Sequence, residues 1–273
     1  MNTRDSFAAI SQSIVIPDVQ ASHDARRVPI QKVGIKGVRY PILVATPSGD
    51  QPSVAEFAMN VALPAEQKGT HMSRFVALLE EHRGGWSAET LPAILDTMLA
   101  KLEAETGEIS LTFPYFIRKT APVSGVTSLL DYVVTLRGER KAGVTSTWVK
   151  MVAPVTSLCP CSKEISEYGA HNQRSHVTID VELVRPFALD DIARVAEDSA
   201  SAELYGLLKR VDEKHVTENA YDNPKFVEDL IRDVVSRLQQ DERVGEFTVE
   251  VENFESIHNH SAYAQISGRG AAV

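Results

Sequence analysis

The sequence is poor in cysteine and has no long apolar run, and both shortages limit what the chain can be. Two cysteines, Cys159 and Cys161, occur among 273 residues, so a scaffold held together by several disulfides is excluded. Nowhere do 18 apolar residues follow one another, which excludes a membrane-spanning helix. The first twenty residues lack a basic start followed by an apolar core. We therefore expect no secretory signal, no membrane partner and a cytoplasmic protein.

Positive charge is also in short supply. The chain has 28 Lys and Arg residues against 37 Asp and Glu residues, a formal net charge of −9. A nucleic-acid-binding protein usually carries a basic footprint, so we expect no nucleic-acid partner. A local basic pocket for a small phosphorylated ligand remains compatible with this balance. Hydrophobic residues at 43% and charged residues at 24% are typical of a globular protein.

Hydrophobic periodicity predicts an α+β fold. Residues 1–28 show no sustained period and predict a loosely ordered arm. Beyond them, runs with alternating apolar residues predict strands, and runs with helical spacing predict helices. We interpret residues 211–218 as a polar link between helices, and Asn223-Pro224 as the start of the last helix. Both halves then show strands, two helices and strands again. This order predicts two modules of antiparallel sheet, 29–155 and 156–273, with helices on one face.

One stretch between two predicted strands concentrates the chemistry. Residues 157–176, SLCPCSKEISEYGAHNQRSH, hold both cysteines, two histidines, a lysine and an arginine. Thiolate and imidazole are natural ligands of zinc-like ions, and a loop that folds back can bring Cys159 and His171 to one ion. The spacing is not that of a zinc finger. From these residues alone, a metal or nucleophile site and a plain structural loop are equally open.

A metal site here needs a third ligand, and two later segments offer candidates. The segment 211–218 contains Glu213, although a solvated charged loop is the simpler explanation when this segment is taken alone. The segment 254–260, FESIHNH, lies in a predicted turn between the last two strands. Its His258 and His260, beside Glu255, are typical of a general acid–base group with an orienting carboxylate, and an ordinary hairpin is the alternative.

Two further features have both a functional and a plain interpretation. Glu228 borders the apolar stripe of its predicted helix, where it could accept N–H groups of a ligand or simply end the polar face. Three basic residues cluster at the start of another helix, where free N–H groups favour anions. A surface helix with common polar residues is the alternative for this trio, Lys68, His71 and Arg74.

Four separated blocks together resemble one enzyme family. They are KGTHMSRF, SLCPCSKEISEYGAHNQRSH, ENAYDNPKFVEDLIRD and ENFESIHNHSAYA, in that order along the chain. They are similar to GTP cyclohydrolases of type IB, the prokaryotic folate-pathway class, from about residue 30 to the end. The resemblance implies a tunnelling fold with two modules per chain, assembled into a homotetramer with active sites near subunit interfaces. It also implies hydrolysis of GTP to 7,8-dihydroneopterin 3′-triphosphate and formate, the first step of tetrahydrofolate biosynthesis.

The resemblance also implies which residues form the site. Cys159, His171 and Glu213 should bind a divalent metal, Mn²⁺ or Zn²⁺. His258 should be the acid–base catalyst, supported by Glu255.

The same resemblance assigns the substrate contacts. Cys161 should line the pocket and Glu228 should anchor the guanine edge. Lys68, His71 and Arg74 should lie near the triphosphate or the neighbouring pocket wall.

Two other functions stay open at this point. The first is a non-catalytic module of the same fold that binds metal and purine and releases no formate. The second is a thiol redox protein that uses Cys159 and Cys161. A single proline between the two cysteines makes the second unfavourable, because the disulfide ring would be strained.

Overall fold

A computed structural model describes residues 18–20, 22–46 and 49–271, and residues 1–17 of the predicted arm lie outside these ranges. Eight strands form one antiparallel sheet in sequence order within the described residues. The strands are β1 (Ile30–Val44), β2 (Gln51–Leu63), β3 (Gly107–Thr120), β4 (Thr127–Lys141), β5 (Val144–Leu158), β6 (Asn172–Leu183), β7 (Val244–Asn253) and β8 (Ala262–Arg269). The helices are α1 (Met72–Glu81), α2 (Leu91–Leu102), α3 (Pro160–Ile165), α4 (Leu189–Glu197), α5 (Arg210–Asp222) and α6 (Val227–Gln239).

The strands form because apolar residues alternate with polar ones. In β6, Val177, Ile179 and Val181 are almost completely buried, while Thr178 and Asp180 between them point to the opposite face. The apolar rows of neighbouring strands share one face, and α1, α2, α4 and α6 pack against it. This arrangement confirms the predicted α+β class with an antiparallel sheet.

The opposite face of the sheet carries polar and charged contacts, and the apolar side chains of Val54 and Val133 are also exposed there. Thr112 and Thr135 share a hydrogen bond of 2.8 Å across β3 and β4, and the Arg137 guanidinium lies over the Trp148 ring. No helix in the described ranges combines the length and apolar character needed to cross a bilayer.

The halves of the chain repeat a pattern, but the sheet is continuous between them. Four strands and two helices precede the turn at Ala142 and Gly143, and four strands follow it. β4 and β5 are hydrogen-bonded neighbours across this turn. Residue 155, the predicted module boundary, lies inside β5. The division into two modules stays a prediction.

Two local predictions are wrong. Residues 211–218 are not a link but the centre of α5, which lacks an apolar stripe and buries only Asp212 and Ala220. Asn223 does not start the last helix. It ends α5 and donates from its side chain to the carbonyl oxygens of Ala200 and Ser201. The last helix begins at Val227 instead.

Antiparallel order sorts the loops between the two ends of the sheet. β5 ends where β6 begins and β7 ends, because Leu158 pairs with Asn172 and Asn253 pairs with Ser175. The turn between β3 and β4 lies at this same end, which we call the site end. The connection from β2 to α1 lies at the opposite end, which we call the far end, because Val61 near the end of β2 pairs with the first residue of β3.

Candidate active site at one end of the sheet

The site end gathers the segments that carry most predicted site residues. Cys159 directly follows β5, and His171 directly precedes β6. Glu255 and His258 lie in the turn between β7 and β8, as predicted. The start of α6 reaches this end too, because the backbone N–H of Lys225 donates to the carbonyl of Leu158 over 3.0 Å. The strand order therefore brings segments that are far apart in sequence to the same end of the sheet.

Cys159 and His171 are joined by a small hydrogen-bond network. The Cys159 N–H donates to the His171 carbonyl over 3.1 Å. Ser162, in the first turn of α3, bridges them: its hydroxyl donates to the Cys159 carbonyl and accepts from the His171 N–H, each over 3.2 Å. Cys159 is half-buried, while Cys161 is exposed. The loop thus folds back and joins the backbones of Cys159 and His171.

The ring of His171 has a fixed orientation. Its Nδ1 lies 3.0 Å from the amide oxygen Oε1 of Gln173 and 3.1 Å from the hydroxyl of Ser256. Because an amide oxygen only accepts, this contact suits the tautomer with the proton on Nδ1, in which Nε2 has the lone pair. A histidine that binds a metal usually donates its other N–H in this way. The donor set therefore fits a metal held by Cys159 Sγ and His171 Nε2.

Glu213 lies at the same end of the sheet but outside this pair. Within the described ranges, no three His, Cys, Asp or Glu side chains group closely enough to hold a metal ion. Glu213 is exposed in the first turn of α5. Lys163 of α3 contacts the other end of that helix, donating to the carbonyl of Tyr221 over 2.5 Å. Glu213 is eight positions before Tyr221, about 12 Å along a helix axis, so it lies well away from the contact between α3 and α5.

Asp212, beside Glu213, fastens α5 to the turn between β3 and β4. Its carboxylate accepts from the backbone N–H groups of Val123 and Ser124, from the Ser124 hydroxyl and from the Lys209 N–H, over 2.6 to 2.9 Å. Burial raises the pKa of Asp212, but these hydrogen bonds outweigh it and hold the pKa well below its usual range. The charged carboxylate therefore fixes the start of α5 at the site end.

His258 is exposed in its turn, while Glu255 is half-buried. The rings of His258 and His260 stack with centroids 5.2 Å apart. Glu255 makes no hydrogen bond to His258 in the described part of the chain, so their partnership stays a prediction. Behind the turn, His176 packs its ring against Phe254. Burial lowers the pKa of His176, which favours its neutral form.

The predicted substrate residues divide between the two ends. Glu228 is exposed in the first turn of α6, close to the end of β5. The basic trio instead follows β2 at the far end, so one chain does not bring it to Cys159 and His171. Two of its members already have partners: His71 contacts Asp18, and Arg74 donates to the Lys101 carbonyl and to Glu103.

Comparison with known proteins decides the family. A family model described as type I GTP cyclohydrolase folE2 matches residues 16–264. A relative named GTP cyclohydrolase FolE2 from Cupriavidus necator is 62% identical over 257 residues, covering 94% of this chain and 96% of the relative. The chain belongs to the type I GTP cyclohydrolase FolE2 family. A second relative, GTP cyclohydrolase FolE2 2 from Burkholderia lata, is 62% identical over 258 residues, with the same coverage.

Solved structures share the fold at low sequence identity. A uricase from Arthrobacter globiformis superimposes with a TM-score of 0.51 over 89% of this chain and 94% of its own. The identity is 9%, so this likeness concerns the fold alone.

Several residues that shape this FolE2 site were missed in the sequence. Gln173 orients His171, Ser162 bridges the loop, and Asp212 fixes α5. For Gln173 a signal exists: it is in phase with Val177 and the other inward residues of β6, yet it is polar. A polar residue on an apolar row predicts a buried hydrogen-bonding group. No comparable local signal marks Ser162 or Asp212, because their partners are distant or set by the loop.

Proposed function

We propose that this chain hydrolyses GTP to 7,8-dihydroneopterin 3′-triphosphate and formate, as the first enzyme of tetrahydrofolate biosynthesis. The FolE2 family match over most of the chain supports the activity. In the fold, the observation that supports this activity is that several functional segments lie at the site end. They are Cys159, His171, the acidic first turns of α5 and α6, and the turn that contains His258.

We propose that Cys159, His171 and Glu213 hold a divalent ion, Mn²⁺ or Zn²⁺. The backbone hydrogen bond between Cys159 and His171, and the contact of His171 Nδ1 with Gln173 that leaves Nε2 for a metal, support the first two ligands. Glu213 stands at the same end and completes the set once the enzyme is assembled and loaded. Thiolate and imidazole suit zinc, while the carboxylate also suits harder ions such as manganese. A divalent ion bound there would supply a nucleophile at neutral pH, because it would lower the pKa of water to about 7 in the zinc case.

The protein groups then orient the base and move protons. Glu228 accepts hydrogen bonds from the N–H groups on the guanine edge. The carbon between the two imidazole nitrogens of guanine is thereby directed towards Cys159 and His171. His258 protonates the ring nitrogen while hydroxide adds to that carbon, and the ring opens to a formamide. A second water releases formate, and His258 again serves the proton transfers of ribose opening and pterin closure. Glu255 orients His258, and Cys161 lines the pocket.

We propose that the triphosphate site requires a second copy of the chain. The basic trio Lys68, His71 and Arg74 lies at the far end of its own sheet, so a neighbouring subunit must supply it. β1 and β8 each pair on one side only within the described residues, which leaves two sheet edges for association. The assembly we propose is the one that the family resemblance implies, a homotetramer of two-module tunnelling-fold chains with active sites near subunit interfaces, and the two sheet edges are compatible with it.

The test is incubation of metal-replete protein with GTP. We expect stoichiometric formate and a product that becomes fluorescent after oxidation, as a pterin does. ATP and chelator-treated protein are the controls and should give neither. Protein that binds metal and GTP but releases no formate would instead be a non-catalytic purine-binding module, and would refute the proposed activity.

A further inference from the structure

Three polar side chains lie buried together below the site end. Ser157 of β5, Ser175 of β6 and Asn253 of β7 are at most 3% exposed. The Ser175 Oγ lies 2.8 Å from Ser157 Oγ and 2.7 Å from Asn253 Oδ1, and Ser157 Oγ lies 3.4 Å from the same amide oxygen. We call these residues the strand-end cluster. The amide oxygen of Asn253 only accepts, so the single proton of Ser175 is donated to Asn253, and the short contact between the two hydroxyls then requires Ser157 to donate to Ser175.

Each member of the strand-end cluster stands next to a segment of the proposed site. Ser157 is two residues before Cys159, and Asn253 is two residues before Glu255. Ser175 is two residues after Gln173, which orients His171. Side-chain hydrogen bonds therefore connect β5, β6 and β7 to one another next to the residues of the proposed site.

The strand-end cluster is not needed for the sheet or the core. The backbone ladder already joins β5 to β6 and β6 to β7 at these positions. The inward neighbours Val155, Val177 and Val251 are fully buried, so apolar residues would suit the same row. Buried hydroxyl and amide groups lose their hydration, and their hydrogen bonds return only a modest net stability. What they add is a fixed lateral position for each strand end.

We propose that the strand-end cluster positions the site. Its two hydrogen bonds hold the ends of β5, β6 and β7 at set distances, so that Cys159, His171 and the turn with His258 face one point. This inference rests on the proposed function. Ser157, Ser175 and Asn253 touch no reacting group, so they are positioning residues.

The test compares Ser175→Ala with Val181→Ala, a control on the inward row of β6 six residues from the cluster. Ser175→Ala removes both hydrogen bonds of the central hydroxyl, while Ser157 can still donate to Asn253. We expect kcat for formate release to fall 10- to 100-fold with little change in KM, the size typical of lost support around a metal ligand. Val181→Ala should lower thermal stability at least as much and leave kcat near that of the wild type.

A second readout does not depend on turnover. Co²⁺ bound by a thiolate and an imidazole has visible and near-ultraviolet absorption bands that report ligand geometry. We expect shifted bands and weaker Co²⁺ binding in Ser175→Ala, and wild-type bands in Val181→Ala. If Ser175→Ala fails to fold, Ser157→Ala provides the same comparison.

The possible results distinguish a failure of the positioning role from a failure of the proposed function. Unchanged Co²⁺ bands and unchanged kcat in folded Ser175→Ala would overturn the positioning role and leave the proposed function intact, as would equal losses in both variants. Wild-type protein that binds Co²⁺ but releases no formate would refute the function, while the band shift would still decide the positioning role. Wild-type protein that neither binds Co²⁺ nor releases formate would overturn both.

Discussion

Replacing Lys119 should destabilise the protein through a buried charge. Lys119 of β3 lies 2.6 Å from Glu197 of α4, and their side chains are 10% and 9% exposed. Lys119 also pairs with Glu203, in the chain between α4 and α5. Tyr132 donates to Glu197, and burial together with this hydrogen bond raises the pKa of Tyr132, so the donor stays protonated. In Lys119→Met, the Glu197 carboxylate keeps Tyr132 and loses the one opposite charge that pairs with it among the described residues.

The size of the effect follows from this burial. Removing one partner of a buried ion pair costs about 3–5 kcal/mol, because the other charge is left uncompensated. An unfolding temperature lower by about 6–10 °C corresponds to that loss in a chain of this size, at about 2 °C per kcal/mol. Adding Glu197→Gln should recover at least half of it, since the amide still accepts from Tyr132 and carries no charge.

Thermal unfolding at one fixed protein concentration measures the difference, because association shifts apparent stability. Lys150→Met is the control: Lys150 is exposed on the open face of β5, so its loss should change stability by about 0.5 kcal/mol at most. A Lys119→Met protein as stable as the control, or a double variant less stable than Lys119→Met, would refute the argument.

Three further predictions concern the site and the pH response. His258→Ala should keep metal and GTP binding and lose 10²- to 10⁴-fold in kcat, measured as formate release. The control variant His260→Ala should keep most of its activity. If His260→Ala loses more activity than His258→Ala, the catalytic role belongs to His260. Glu228→Gln should reduce the preference for GTP over ATP in a binding assay at least tenfold; an intact preference would remove the guanine contact. Burial beside Trp86 lowers the pKa of His82 from 6.5, so the unfolded chain protonates first as the pH falls. Stability is therefore lost below about pH 6.5, and His82→Phe should flatten that loss in unfolding curves between pH 7.5 and 5, whereas an unchanged slope would contradict it.

The sequence predicts the strands well because their burial follows a local period. Val177, Ile179 and Val181 show on their own that β6 has one apolar face, and strand order then follows the chain. Local periodicity does not predict α5. This helix buries an aspartate and an alanine, and it is fixed by bonds from Asp212 to Val123 and Ser124 that no local pattern reveals.

The candidate site divides in the same way. Cys159 and His171 meet because a short loop returns along adjacent strands, which their spacing suggests. The far-end position of Lys68, His71 and Arg74 depends on strand direction, and their use at the site depends on a neighbouring subunit. Neither is encoded in the residues next to them: the structure shows the far-end position, and the use of these residues at the site stays a prediction.

The central claim is that a thiol, an imidazole and a carboxylate bind one ion, and Glu213 tests it most directly. The measurement is the metal content per chain of purified, assembled protein after dialysis, for the wild type, Glu213→Gln and Glu218→Gln. Glu218 lies on the same helix and pairs with Lys214, so it controls for charge and helix effects. We predict one ion per chain in the wild type and in Glu218→Gln, and far less in Glu213→Gln. A full equivalent in Glu213→Gln would contradict the account.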